Sequence, residues 1–361
     1  MAQNILVTVL TVLFYLSSLL GGNSDPKTTP LFGNQNPTIV NPPAISRQND
    51  KIVMGYMFGN QSLTSIDKNS QLLTSISPWS WSVDSYGGLS ANFNMNQFAE
   101  LLQTAGSQEI ETYALIHNYF NNSFDSRVIS SLLNNPVARK NAIDQIHSTL
   151  TAWGMTGINL DFENVPPSDR ELLTSFVAEL AEKLRADGLK ITMAVPAKNT
   201  DNWESNHSGA YDYEALAKHV DQLVIMAYDE HYRGGEAGPV ASITWVESVI
   251  EYALSKAPKQ KIVLGIPAYG YDWPQAGVAT GLTYQQAMEK AAAEDVTIRW
   301  HGTYRVPFYE YGLGNQVWFE NRYSFRYKVD LVNQYDLAGI AIWRLGQEDP
   351  GIWEIIEKNL S

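Results

Sequence analysis

From Lys51 to the end of the chain, eight short apolar runs alternate with stretches of helical periodicity, and that alternation limits the folds open to the sequence. The runs are residues 51–57 (KIVMGYM), 72–81 (LLTSISPWSW), 110–118 (IETYALIHN), 156–163 (TGINLDFE), 189–196 (LKITMAVP), 222–229 (QLVIMAYD), 261–268 (KIVLGIPA) and 337–343 (LAGIAIW). Between them, residues 94–105, 136–154, 170–188 and 245–257 carry apolar side chains at three- and four-residue spacing. Ser168 and Asp169 stand where the third of these helices needs an N-cap, and Gly188 where it should stop. Eight strands, most of them followed by a helix, predict an α/β chain folded as a (β/α)8 TIM barrel, which takes about 250 residues before insertions. A doubly wound open sheet is the alternative, but no Gly-x-Gly-x-x-Gly follows the first strand.

About seventy residues separate the seventh and eighth runs, more than one helix and its loops require. Within that gap, residues 281–295 (GLTYQQAMEKAAAED) read as a helix. Residues 297–321 (TIRWHGTYRVPFYEYGLGNQVWFEN) read as short aromatic strands with a turn at Gly312 and Gly314. The sequence therefore predicts a barrel domain over 51–358 with a small α+β insertion between strands 7 and 8, over about 269–325, on the barrel's C-terminal face. The insertion's aromatic residues are expected to divide between its own core and the wall of a cleft.

The N-terminal end has a different composition. Ile5 to Leu20 is an almost unbroken apolar run with no charge inside it. Residues 1–22 are therefore expected to be an export signal or an N-terminal membrane anchor, with attachment through residues 5–20. No Lys or Arg precedes the run and no Ala-x-Ala follows it; a buried first helix is the other reading. Residues 23–50, rich in Pro and Asn, read as a linker.

Composition excludes several classes of function. A formal charge of −13 repels phosphate backbones, so no nucleic-acid partner is expected. The absence of Cys excludes disulfides, thiolate metal sites and a Cys nucleophile. No His/Asp/Glu spacing forms a metal site, and there is neither a phosphate-binding P-loop nor a Gly-x-Ser-x-Gly elbow, so no metal or cofactor is expected. Ten Trp and nineteen Tyr suit stacking on the flat apolar faces of sugar rings.

The fourth run is the one that suggests chemistry. Side chains alternate along a strand, so Asn159, Asp161 and Glu163 share one face of TGINLDFE while Ile158, Leu160 and Phe162 share the other. In a barrel strand the apolar set would face the helices and the polar set the interior, where unpaired carboxylates lose hydration. Glu163 would then sit at the strand's C-terminal end, where barrel enzymes place their reacting groups. Alternation alone also fits an edge strand with a solvated polar face.

TGINLDFE resembles the catalytic strand of glycoside hydrolase family 18, whose pattern is D-G-x-D-x-D-x-E. MAYD (226–229), GIPAYGYDW (265–273) and AIWRLG (341–346) follow in that family's order. DFENVPPSDR (161–170), VPAKNTDNW (195–203), GAYDYEAL (209–216) and YDEHYRGGEAGPVAS (228–242) resemble its bacterial branch that cleaves peptidoglycan, including the YaaH-like spore N-acetylglucosaminidases. The resemblance implies a retaining glycosidase in which the substrate's own 2-acetamido oxygen is the nucleophile. It implies Glu163 as general acid and later base, Asp161 holding the acetamido N–H, and Tyr228 donating to the acetamido carbonyl. Trp343 would be a platform under the sugar, with Tyr56, Asn159 and Asp229 as further substrate-binding candidates. His117, His231 and Lys198 read as structural.

Thr156 and Asn159 depart from the pattern, standing at its first and second Asp positions. With an amide as neighbour in place of a carboxylate, Asp161 is expected to ionise more readily, which would alter the pH profile. The expected partner is an N-acetylglucosamine-containing polysaccharide: peptidoglycan first, with chitin or its oligomers as the alternative. A sugar-binding lectin on an inactive barrel is a third reading, against which the retained Glu163 argues. Export is expected from the apolar run, either secreted or anchored on the outer side at the cell wall or spore, and the chain is expected to act as a monomer.

Overall fold

The computed structural model describes residues 51–360, so the expectations for residues 1–22 and 23–50 lie outside the described residues. Eight parallel strands lie side by side in chain order: β1 (Ile52–Met57), β2 (Ser75–Val83), β3 (Glu111–His117), β4 (Gly157–Asp161), β5 (Lys190–Pro196), β6 (Gln222–Met226), β7 (Ile262–Pro267) and β8 (Gly339–Trp343). Because β1 pairs with β2 on one side and β8 on the other, the sheet closes into a (β/α)8 barrel.

The alternation along these strands separates two apolar layers. Met54, Tyr56, Tyr113, Leu115, Val224, Val263 and Ala341 form a cluster inside the barrel. Their opposite-parity neighbours, among them Val53, Ala114, Ile158, Leu160, Leu223, Leu264 and Ile340, join the helices in the main core. The first residue of β4 has to be small. A Cβ on Gly157 would lie 2.1 Å from the Lys190 carbonyl oxygen.

Short polar side chains start several of the helices. Asn94, Asn135 and Ser242 accept from first-turn backbone N–H groups of Met95–Ser107, Pro136–Trp153 and Ile243–Leu254. The cap expected at Ser168 or Asp169 does not form. Residues Pro167–Asp169 make a 3-10 turn, and Asp169 instead accepts from Asn134 Nδ2 at 3.0 Å, a tertiary partner that replaces the local one. Gly188, at φ 71°, follows the end of Arg170–Arg185 as expected.

Between β7 and β8 lies an antiparallel five-stranded sheet, ordered Thr280–Thr283, Tyr269–Trp273, Asn315–Phe319, Val306–Tyr311, Arg299–His301, with the helix Tyr284–Ala293 packed on it. Tyr309 and Phe319 are buried against Ala287 and Ala291 of that helix, while Trp273 and Trp318 form a second cluster and Phe308 stacks on Trp318 at 4.4 Å. Residues 322–325, expected inside the insertion, are the first turn of the helix Arg322–Gln334, which starts there because Asn321 caps it. Among the described residues no helix is long and apolar enough to cross a membrane.

Candidate active site

Asp161 ends β4, and Glu163 lies two residues beyond the last ladder position. What holds that segment is a set of side chains from neighbouring loops. Asn118, fully buried just past β3, accepts from the Glu163 N–H and donates to the Glu163 carbonyl, both at 2.9 Å. Tyr211 Oη donates to the Phe162 carbonyl at 2.6 Å. Backbone groups beyond a strand end would otherwise turn to water, so these bonds fix where the Glu163 side chain starts. Asn118 was not anticipated from the sequence. Its bond spans 45 residues, and its one visible mark is a place at the C-terminal end of a strand.

Tyr228 follows β6 and enters the barrel mouth beside Gly265, where a Cβ would approach its ring to 3.1 Å. Among the described residues its hydroxyl has no hydrogen-bond partner. Tyr56 and Trp343 meet edge to face with ring centres 5.3 Å apart and form part of the floor. Asn159 does not reach the cavity. It lies one layer deeper than Asp161, fully buried, and donates to Tyr56 Oη at 2.7 Å. Asp229, in the left-handed region at φ 60°, accepts from Tyr269 Oη at 2.5 Å and Tyr271 Oη at 3.0 Å. Those two tyrosines belong to the aromatic set expected to divide between the insertion's core and a cleft wall, and both hydroxyls converge on this acid.

Two hollows meet at these residues. One, of about 370 Å³, has an aromatic wall made of Phe58, Trp79, Tyr119 and Phe124 over a floor that includes Asp161, Tyr56 and Trp343. The other, of about 560 Å³, is lined by Pro196, His207, Glu230 and Tyr232. Glu163, Met226, Tyr228 and Asp229 line both, so a single trench crosses the barrel mouth with Glu163 in its middle. Trp79 organises the aromatic half, with its ring 5.6 Å from Phe58, 5.7 Å from Tyr119 and 6.3 Å from Trp343. Phe58, Trp79, Tyr119 and Phe124 were not picked out by sequence reasoning, although each lies at or beyond the C-terminal half of β1, β2 or β3.

Burial dominates the electrostatics. Loss of hydration pushes the Asp161 carboxyl up to about 7. Glu163 is held well above its ordinary value, first by burial and then by the charges of Asp161 and Asp229. The amide of Asn159 adds no like charge to Asp161, and desolvation alone holds its carboxyl above the ordinary value. Burial and the two neighbouring carboxylates therefore favour the protonated form of Glu163.

Both folded-state values exceed those of unfolded carboxyls, about 3.9 and 4.3. The stability contribution of Asp161 is therefore fully present below about pH 4 and lost as pH rises through about 7, and that of Glu163 falls in the same direction. The double substitution Asp161→Asn with Glu163→Gln should raise Tm at pH 8, with the difference from wild type closing towards pH 4. Thermal melts of both proteins across that range check it; a gap independent of pH would contradict the assignment.

Three comparisons place this geometry among known proteins. The sequence model described as Glycosyl hydrolases family 18 matches residues 32–348. The chain is 32% identical over 259 residues to the cortical fragment-lytic enzyme of Bacillus subtilis (strain 168), a match covering 69% of this chain and 60% of that one. Its fold matches the spore cortex-lytic enzyme SleL of Bacillus megaterium QM B1551 with a TM-score of 0.79 and 28% identity, over 89% of this chain and 76% of that one. It also matches the chitinase of Chromobacterium violaceum ATCC 12472 with a TM-score of 0.81 and 27% identity, over 86% of this chain and 99% of the other.

Proposed function

The chain belongs to glycosyl hydrolases family 18 and is a glycosidase, and we propose that it is a retaining, substrate-assisted enzyme that cleaves peptidoglycan of the cell wall or spore at N-acetylglucosamine. The observation that carries this reading is a carboxyl group poised to stay protonated in the middle of a sugar-sized trench, with Asp161 and an uncommitted Tyr228 hydroxyl beside it.

In the first step Glu163 gives its proton to the glycosidic oxygen while the 2-acetamido oxygen of the same sugar attacks the anomeric carbon, and the leaving sugar departs with that proton. Asp161 accepts the acetamido N–H and offsets the positive charge of the oxazolinium ring that forms. Tyr228 donates to the acetamido oxygen and orients it for attack. In the second step Glu163, now a carboxylate, takes a proton from water as the water opens the ring from the face the leaving group vacated. Two displacements at one carbon return the original anomer. Trp343 and Tyr56 give the reacting sugar an apolar surface to lie on.

Family members act on N-acetylglucosamine-containing glycans such as peptidoglycan or chitin. The likeness to two enzymes named for lysis of spore cortex favours peptidoglycan, and the likeness to a chitinase keeps chitin as the second reading. Action on a wall polymer requires export, which the apolar run Ile5–Leu20 would serve as signal or anchor. All the groups used come from one chain, consistent with action as a monomer.

Incubating the full chain with purified peptidoglycan, spore cortex fragments and N-acetylglucosamine oligomers tests the proposal. The expected result is new N-acetylglucosamine reducing ends from the wall polymers, identified by mass, and a β-anomer as first product by NMR. Cleavage of the oligomers alone would move the assignment to chitin, and an α-anomer would remove the retaining mechanism.

A further inference from the structure

The trench holds one guanidinium that the reaction above does not use. Arg344 follows Trp343 at the end of β8 and lines the aromatic half. Its Nη1 donates to the Phe58 carbonyl, and its guanidinium carbon lies 4.9 Å from the centre of the Phe58 ring. Nε and Nη2 make no hydrogen bond among the described residues. Nor does any carboxylate there lie within ion-pair distance, whereas Arg170 and Arg322 are each held by an aspartate. No other Lys or Arg lines either half of the trench, whose remaining titratable side chains are those of Asp161, Glu163, Asp229, Glu230, His207 and tyrosines.

An unpaired, half-buried cation is costly to keep, and partial burial does lower the Arg344 pKa. In a chain with a formal charge of −13, acidic partners are plentiful, so a guanidinium left without one in a binding cleft is available to a ligand. Phe58 braces it from two directions, by its ring and its carbonyl, so little side-chain freedom remains to be lost on binding. A planar fork with free N–H groups matches a carboxylate in a two-bond geometry. Chitin carries no acid, whereas a muramic-acid sugar of peptidoglycan that has lost its stem peptide carries a lactyl ether ending in a free carboxylate.

We propose that Arg344 binds the lactyl carboxylate of a muramic-acid-type sugar seated in the aromatic half of the trench, and so makes the enzyme prefer acid-bearing N-acetylhexosamine chains to chitin oligomers. This rests on the peptidoglycan reading, and the experiment separates the two. The full chain and its Arg344→Gln variant are assayed on two tetrasaccharides of equal length. One is built of N-acetylglucosamine only; the other alternates it with N-acetylmuramic acid whose lactyl carboxylates are free. The wild type should prefer the second. The variant should lose about 10–100-fold more kcat/KM on the acid-bearing chain than on the plain one, the worth of a hydrogen-bonded charge pair. Most of the extra loss should appear in KM, and amidating the lactyl group should abolish most of the wild-type preference. Arg344→Lys, which keeps the cation, should retain more of the preference and stands in if the glutamine variant does not fold. If the wild type fails to cleave the acid-bearing chain, the inference falls, and release of new reducing ends from purified peptidoglycan then decides the peptidoglycan reading by itself. If the wild type cleaves both and the variant loses activity equally on both, Arg344 is a prop for Phe58 and the inference alone is overturned.

Discussion

Replacing Glu163 by Gln should lower kcat on an N-acetylglucosamine oligomer by at least about 100-fold and by as much as about 10⁴-fold, the range that a positioned acid contributes. The amide keeps the shape of the carboxyl and the two backbone bonds from Asn118, which involve no side-chain atom of residue 163. The loss should therefore fall on kcat, with substrate affinity in a direct binding assay held within a few-fold. The reason is that the proton is transferred only as the glycosidic bond breaks, so its absence is felt in the transition state and hardly in the bound ground state. The variant should also melt at a higher temperature than wild type at pH 8, because it no longer buries a group whose charged form is disfavoured there. Lost turnover together with gained stability distinguishes removal of a catalytic acid from damage to the fold. Turnover within ten-fold of wild type would take Glu163 out of the chemistry.

The parts of this site that could be read from the chain are those governed by local periodicity. Period-two alternation placed Asp161 and Glu163 on one face of β4, and the rule that barrels react at strand C-termini placed them at the mouth. The same rule fails for the wall. Trp79 and Trp81 have equal parity in β2, yet Trp79 lines the trench and Trp81 packs outward against Phe93 and Phe98. The pairing of β2 with β3 shifts register between them, so the extra residue turns the strand over, and nothing in SPWSW announces it.

Destinations of aromatic side chains were equally hidden. The richness of the insertion in Tyr and Trp was plain, but that Tyr269 and Tyr271 converge on Asp229, forty residues and more away, depends on how the insertion sits on the barrel. The same holds for Asn159: its parity was right, and its depth was a matter of barrel layers that only the closed structure defines. Loss of hydration at Asp161 was legible once the strand was placed in a barrel, but its extent depends on the closed structure.

A substrate whose 2-acetamido group is replaced by hydroxyl should not be cleaved above background. An internal nucleophile held in place is equivalent to an external one at about 10⁵–10⁸ M, and no water at ordinary concentration replaces it. The glucoside analogue keeps the leaving group and the proton from Glu163, so its failure would isolate the acetamido oxygen as the missing part. Two variants bear on the same step from the protein side. If Tyr228 donates to that oxygen as proposed, Tyr228→Phe should lower kcat by about 10²–10³-fold, the usual cost of losing a donor to a reacting centre. Asp161→Asn removes the charge that balances the oxazolinium ring, so it should weaken a thiazoline mimic of that ring much more than it weakens the disaccharide. Comparison of inhibition constants with substrate affinities in wild type and variant measures this directly. Equal rates on glucosides and N-acetylglucosaminides would deny substrate assistance. A trench carboxylate would then have to attack the anomeric carbon or activate water for a single displacement; Asp161 lines the floor, and Asp229 becomes available only if Tyr269 and Tyr271 release it.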